Sequence, residues 1–130
     1  MTDWYAELLQ DLKQRYPQVW IHGMSPPEIT HVAKMEERPV QDVLTDLQAA
    51  GLQSIPGGGA EILVESVRRV IAPKKATTDE WLEVMRQWGL MGGKGTATMM
   101  FGHDDTPMTD KFGLDRSKKK PTKVVSQVKA

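Results

Sequence analysis

The chain has 130 residues, enough for one domain with a modest core. Its 17 lysines and arginines balance 17 aspartates and glutamates, so net charge argues for neither nucleic acid nor an anionic membrane as partner. It holds no cysteine, which removes disulfides, thiol nucleophiles and cysteine-ligated zinc or iron–sulfur clusters from anything this chain builds alone. No apolar run is long enough to span a bilayer, and M-T-D-W-Y-A-E-L-L lacks the basic and apolar regions of a signal peptide, so the expected setting is cytoplasmic.

Residues 3–15 place Trp4, Leu8, Leu9 and Leu12 on one helical face, with Asp3 as N-cap. V-W-I (19–21) is a short buried strand candidate closed by His22-Gly23. S-P-P-E-I (25–29) is a helix start: Ser25 caps, Pro26 fits the first turn, and Glu28 completes a capping box, with the helix running to about Glu37. Pro39 opens another helix, with Val40, Val43, Leu44 and Leu47 facing inward and Gly51 ending it. Leu52 to Ile55 is the second strand candidate, and the triplet Gly57-Gly58-Gly59 follows it.

A helix over about Leu63 to Val70 comes next, broken by A-P-K-K (72–75). Thr77 and Glu80 have capping-box spacing for a further helix, whose inner face is Trp81, Val84, Met85 and Trp88. G-G-K-G (92–95) stops it, and T-A-T-M-M-F (96–101) is the third strand candidate, with Met99 and Met100 read as packing residues. Residues 1–106 thus form one α/β unit, while 107–130, with D-R-S-K-K-K-P-T-K at its centre, reads as a basic tail without regular structure.

Short strands separated by amphipathic helices predict an α/β fold with parallel strands and helical crossovers. Each predicted strand ends in a turn that holds unusual residues: His22, Ser25 and Glu28 after the first, the glycines and Glu61 after the second, His103, Asp104 and Asp105 after the third. Ligands of parallel α/β folds bind beyond the carboxyl ends of the strands, so these turns together form a candidate site. Taken singly, either histidine is accounted for by a backbone hydrogen bond and Glu28 by its capping role. Glu61 has the weakest structural account. G-L-M-G-G-K-G (89–95) is no phosphate loop, because Trp88 stands where the first glycine is needed and Gly95 follows Lys94. The triplet lacks dinucleotide spacing, and no histidine pair has zinc spacing on a helix.

W-I-H-G-M-S-P-P-E-I (20–29), G-L-Q-S-I-P-G-G-G-A-E-I-L (51–63), I-A-P-K-K-A-T-T-D-E-W-L-E-V-M-R (71–86) and T-A-T-M-M-F-G-H (96–103) together resemble the radical S-adenosylmethionine enzymes of the futalosine route to menaquinone. The cyclic dehypoxanthinyl futalosine synthases stand nearest in S-I-P-G-G-G-A-E-I-L and T-M-M-F-G-H, with aminofutalosine synthases and deazaflavin-precursor synthases more distant. The resemblance covers about Trp4 to Thr106. It implies part of a (β/α) TIM-type barrel, about three parallel strands, whose rim holds S-adenosylmethionine and a nucleoside-type substrate against a [4Fe–4S] cluster. On that likeness Gly57, Gly58, Gly59 and Glu61 would meet the cofactor or a sugar hydroxyl, and His22, Ser25, Glu28 and His103 would line the substrate side.

The chain also departs from the family. A whole barrel needs about 250 residues and eight strands. The family's C-x3-C-x2-C cluster ligands are absent, so this chain supplies no metal ligand and a complementing chain would have to carry the cluster half. Gly89 stands where the family tends to have histidine. No catalytic residue is assignable from the sequence. Two other readings stay open: a non-catalytic module that binds nucleosides or S-adenosylmethionine, and an interaction protein acting through its lysine tail.

Overall fold

A computed structural model describes residues 1–101 and 123–129 of the chain. Five helices and three strands follow in the order α1 (Thr2–Arg15), α2 (Pro26–Met35), α3 (Val40–Ala50), β1 (Ser54–Ile55), α4 (Glu65–Ile71), α5 (Thr78–Leu90), β2 (Lys94–Phe101) and β3 (Lys123–Lys129). β1 and β2 pair in parallel, Ser54 opposite Lys94 and Ile55 opposite Gly95. The fold is therefore mixed α/β with a parallel pair at its centre.

The predicted capping chemistry is present. The Glu28 carboxylate accepts the Ser25 N–H and hydroxyl, both at 2.7 Å. Thr77 and Glu80 bond reciprocally, side chain to backbone, at 3.2 Å each way. Proline occupies the first turn of α2, where its missing N–H costs nothing. Gly51 ends α3 at φ +120°. In α1 the cap differs from expectation: the helix starts at Thr2, which puts Asp3 inside the first turn, where its charge suits the positive helix end.

The core is Ile29 and Val32 of α2, Val43, Leu44 and Leu47 of α3, Leu52, Ile55, and Val84 and Trp88 of α5. α1 packs on α3, α3 and α2 pack on α5, and α5 packs on β2. The α5–β2 turn closes tightly, because Trp88 Nε1 donates to the Lys94 carbonyl at 2.8 Å. A Cβ on Gly93 would lie 2.1 Å from that indole, so glycine is required there.

Five expectations are corrected. The first strand, V-W-I, is neither buried nor a strand: Val19 and Trp20 are exposed, and pairing is confined to one parallel bridge between His22 and Ser54. Of three expected parallel strands, one parallel pair and this bridge are present, and the far side of β2 is taken by β3 running antiparallel. β3 lies within the segment read as an unstructured tail; the β-branched Val124, Val125 and Val128 and the hydrogen-bonding edge offered by β2 account for it. The inward face assigned to α1 is also too wide, since Leu9 is buried while Trp4, Leu8 and Leu12 are exposed. Met99 is 37 % exposed and so is not a core residue.

Candidate functional site

The parallel pairing brings the carboxyl ends of successive segments to one edge. Gly23 N–H donates to the Ser54 carbonyl at 3.1 Å, so the turn holding Ser25 leaves beside β1. A Cβ on Gly58 would sit 3.7 Å from the Ser25 Cβ, which makes these two expected site residues neighbours. The loop after β1 then runs along β2. Gly57 N–H donates to Thr96 Oγ1 at 2.8 Å, Thr98 Oγ1 donates to the Gly57 carbonyl at 3.1 Å, and Met100 N–H donates to the Glu61 carbonyl at 2.7 Å.

The glycine triplet is largely explained by close approaches inside the protein. A Cβ on Gly57 would lie 2.1 Å from the Thr96 carbonyl oxygen, a collision with backbone that cannot move aside. Gly59 has φ +82°, and a Cβ there would meet Pro27 Cγ at 2.3 Å. Gly58 differs, because nothing crowds it; its carbonyl accepts from Trp81 Nε1 at 3.2 Å.

Glu61 is the unusual residue of this loop. Its φ is +36°, a left-handed conformation that side chains rarely adopt. One carboxylate oxygen lies 3.3 Å from Lys75 Nζ. The other, Oε2, is buried and has no hydrogen-bond partner among the described residues. An unpaired buried carboxylate oxygen costs free energy, and strained backbone persists where its surroundings impose it, often at ligand sites. Met24, next to Ser25, is likewise left-handed at φ +62°.

What holds Glu61 in this conformation was missed in the sequence. Arg68 of α4 is 2 % exposed and forms no ion pair among the described residues; its guanidinium donates to backbone carbonyls. Nε donates to Ala76 at 2.8 Å, one terminal nitrogen to Ala60 at 2.8 Å and Ile62 at 3.2 Å, and the other to Gly59 at 2.5 Å. The planar fork thereby ties the residues flanking Glu61 to the α4–α5 turn. The signal was the helical spacing of Val64, Val67, Arg68 and Ile71, which puts Arg68 in the inward stripe of α4. Nearby, the Glu65 carboxylate accepts Thr78 N–H at 2.9 Å, a bond that holds its pKa below the ordinary carboxylate value.

The remaining expected residues have these positions. His22 is exposed, and its Nδ1 lies 2.6 Å from Ser54 Oγ, which also accepts from Trp20 Nε1 at 2.8 Å. Ser25 and Glu28 engage each other in the α2 cap. His103 lies outside the described residues. Gly58 and Glu61 therefore share the loop after β1, and Ser25 adjoins that loop at Gly58. A groove of about 600 Å³ opens elsewhere, between α2, α3 and α5, lined by residues that include Thr30, Lys34, Arg38, Val40 and Glu80.

Comparison with known proteins finds relatives of most of the chain. Over 104 residues the chain is 40 % identical to the cyclic dehypoxanthine futalosine synthase of Halalkalibacterium halodurans, covering 80 % of this chain and 28 % of that protein. Over 105 residues it is 41 % identical to 5-amino-6-(D-ribitylamino)uracil–L-tyrosine 4-hydroxyphenyl transferase 1 of Methanosarcina mazei, covering 81 % and 28 %. A transferase of the same description from Microcystis aeruginosa is 38 % identical over 117 residues, covering 90 % and 31 %. The chain is homologous to a segment of these enzymes, in keeping with the resemblance its motifs carry.

It spans under a third of the length of these relatives. Identities of 40 % and 41 % do not separate the futalosine group from the tyrosine transferases. No protein-family model matches the chain. An iron–sulfur cluster, which the family implies, does not fit the donors available. The chain has no cysteine, and no group of three or more histidine, aspartate or glutamate side chains placed to hold a metal occurs among the described residues. Among those residues no helix is long and apolar enough to cross a membrane.

Proposed function

We propose that this chain is a nucleoside-facing part of a cytoplasmic radical S-adenosylmethionine enzyme resembling cyclic dehypoxanthine futalosine synthase. In that reading residues 1–106 contribute part of a (β/α) barrel, followed by a basic tail over 107–130. The reaction served is radical cyclisation of dehypoxanthine futalosine. The [4Fe–4S] cluster, whose chemistry is the reduction of S-adenosylmethionine, belongs to a complementing polypeptide, so the chain alone is inactive. Its own residues bind and orient: Ser25 and the uncrowded Gly58 border the ligand, and Glu61 accepts a sugar hydroxyl or an amine.

One observation carries this reading: the buried Oε2 of Glu61, without a hydrogen-bond partner among the described residues, on left-handed backbone in a loop anchored on both sides. A hydroxyl donated to that oxygen would make a charge-assisted hydrogen bond with strong orienting power. Titration calorimetry with S-adenosylmethionine and with dehypoxanthine futalosine tests it. At least one should bind, and Glu61→Gln should weaken that binding tenfold or more. Equal affinity of the variant would reject the role of Glu61. In a full-length relative, alanine at the position aligned with Glu61 should lower turnover by orders of magnitude.

A second reading rests on the absence of cysteine: a module that binds the same nucleoside ligands without turnover. Electron paramagnetic resonance after iron–sulfur reconstitution, with and without a cluster-bearing polypeptide, separates the two. A reduced-cluster signal accompanied by turnover in the mixture favours the enzyme. Tight binding with no turnover in the mixture favours the module. Activity of the related aminofutalosine or deazaflavin-precursor type would appear as turnover of those substrates instead.

A further inference from the structure

Three basic and two acidic side chains gather where α4 turns into α5: Arg68, Arg69 and Lys75 with Glu61 and Glu65. Glu65 is committed elsewhere, because it accepts Thr78 N–H at 2.9 Å and pairs with Arg69 at 3.7 Å. Arg68 and Lys75 therefore remain for the carboxylate of Glu61. Lys75 Nζ lies 3.3 Å from its Oε1. The Arg68 guanidinium bonds the carbonyls of Ala60 and Ile62, the residues on either side of it. A cavity of about 150 Å³ lies among these groups, lined in part by Glu65, Arg68, Arg69, Lys75 and Thr77.

The two cations act with different strength. Lys75 is half exposed, so water and salt screen its charge. Arg68 is 2 % exposed and bonds neutral carbonyls, so its charge is felt at nearly full strength in the loop. The same guanidinium fixes the pair in space. Its Nε donates to Ala76, next to Lys75, while its terminal nitrogens hold Gly59, Ala60 and Ile62 around Glu61. Backbone bonds at both ends thus set the separation of Lys75 from Glu61.

What the buried Oε2 of Glu61 accepts follows from these charges. An ammonium sheds more hydration than a hydroxyl to reach a buried oxygen, and only an uncompensated carboxylate returns that cost. Here the carboxylate is already shared with Lys75, and Arg68 repels an incoming cation. A hydroxyl loses less on leaving water and still gains a charge-assisted hydrogen bond. We infer that Lys75, backed by Arg68, is a specificity-determining residue that restricts Glu61 to a neutral hydroxyl donor and rejects an ammonium in its place. The inference rests on the proposed role of Glu61 and narrows its ligand to one of the two classes named for it. Lys75 acts through Glu61 and need not touch the ligand.

The test is titration calorimetry of the full chain with adenosine and its 2′-, 3′- and 5′-aminodeoxy analogues, at a pH that keeps the amines protonated. At least one analogue should bind about tenfold or more weakly than adenosine. Lys75→Met, checked for native circular dichroism, should shrink that ratio about threefold or more, and Lys75→Arg should keep it. A purely structural role for Lys75 would shift adenosine and analogue together. A ratio that Lys75→Met leaves unmoved, or that Lys75→Arg loses equally, therefore overturns the inference. Analogues that all bind as tightly as adenosine overturn it too. Failure of the underlying reading looks different: no nucleoside of the set binds, or Glu61→Gln leaves adenosine affinity unaltered. Either result removes the role of Glu61 itself and this inference with it.

Discussion

Glu61, Gly57 and Arg68 show three ways in which a single residue of this loop is constrained. Gly57 is fixed by contact with the β2 backbone, so Gly57→Ala should destabilise the protein by about 3 kcal/mol, measured by urea unfolding. Arg68 is fixed by carbonyls. Arg68→Met leaves several buried acceptors unpaired and should cost at least about 3 kcal/mol, and Arg68→Lys should not restore it, because an ammonium cannot span the same acceptors. Glu61 is different, since its strain and its free oxygen are costs with no return inside the described structure. A further residue-scale effect is acid sensitivity at Glu36. Its pKa is lowered to about 2, first by the N-terminal ammonium at 2.8 Å and then by the Thr2 hydroxyl and N–H. A carboxyl depressed in the folded state adds stability that is complete above its ordinary value of 4.5 and is lost as pH falls toward 2. Stability followed by circular dichroism should therefore decline across that window, and the Glu36→Gln variant should show a shallower decline.

Elements are governed by caps and by which faces find a partner. α5 starts on the Thr77–Glu80 box, so Thr77→Ala should cost about 1 kcal/mol. Near its other end Gly89 is exposed within the helix, and a Cβ there meets nothing within 4 Å. Gly89→Ala should accordingly raise stability by about 0.8–1 kcal/mol, seen as a melting temperature higher by about 3–5 °C. α2, α3 and α5 were legible because each has a partner in this chain for its whole apolar stripe. α1 was read with too many inward residues for the opposite reason: the stripe is real, but among the described residues α3 is the element it chiefly packs on. The segment 19–21 failed similarly, because an apolar run becomes a buried strand only when sheet neighbours enclose it, and here one neighbour pairs with it at one residue.

For the molecule as a whole, stability depends on what binds the folded state. A partner that binds only the folded chain adds RT ln(1 + [L]/Kd), about 2.7 kcal/mol at one hundred times Kd. On the proposed reading, the urea midpoint of the chain should rise with the concentration of whichever nucleoside ligand it binds, and should rise less for Glu61→Gln. Local chemistry was determined by the amino-acid sequence itself: the capping boxes, the helix stops, the family likeness carried by four ordered motifs, and the lack of any thiolate for a cluster. Each depends on residues a few positions apart, or on composition alone. Only tertiary structure decided that Gly57 and Gly59 serve internal packing, that Arg68 is a buried clamp, that β3 pairs with β2, and that part of α1 remains bare. Those outcomes turn on which surfaces meet across long separations in the chain, and the physical cost of a contact is settled by the atoms on its far side.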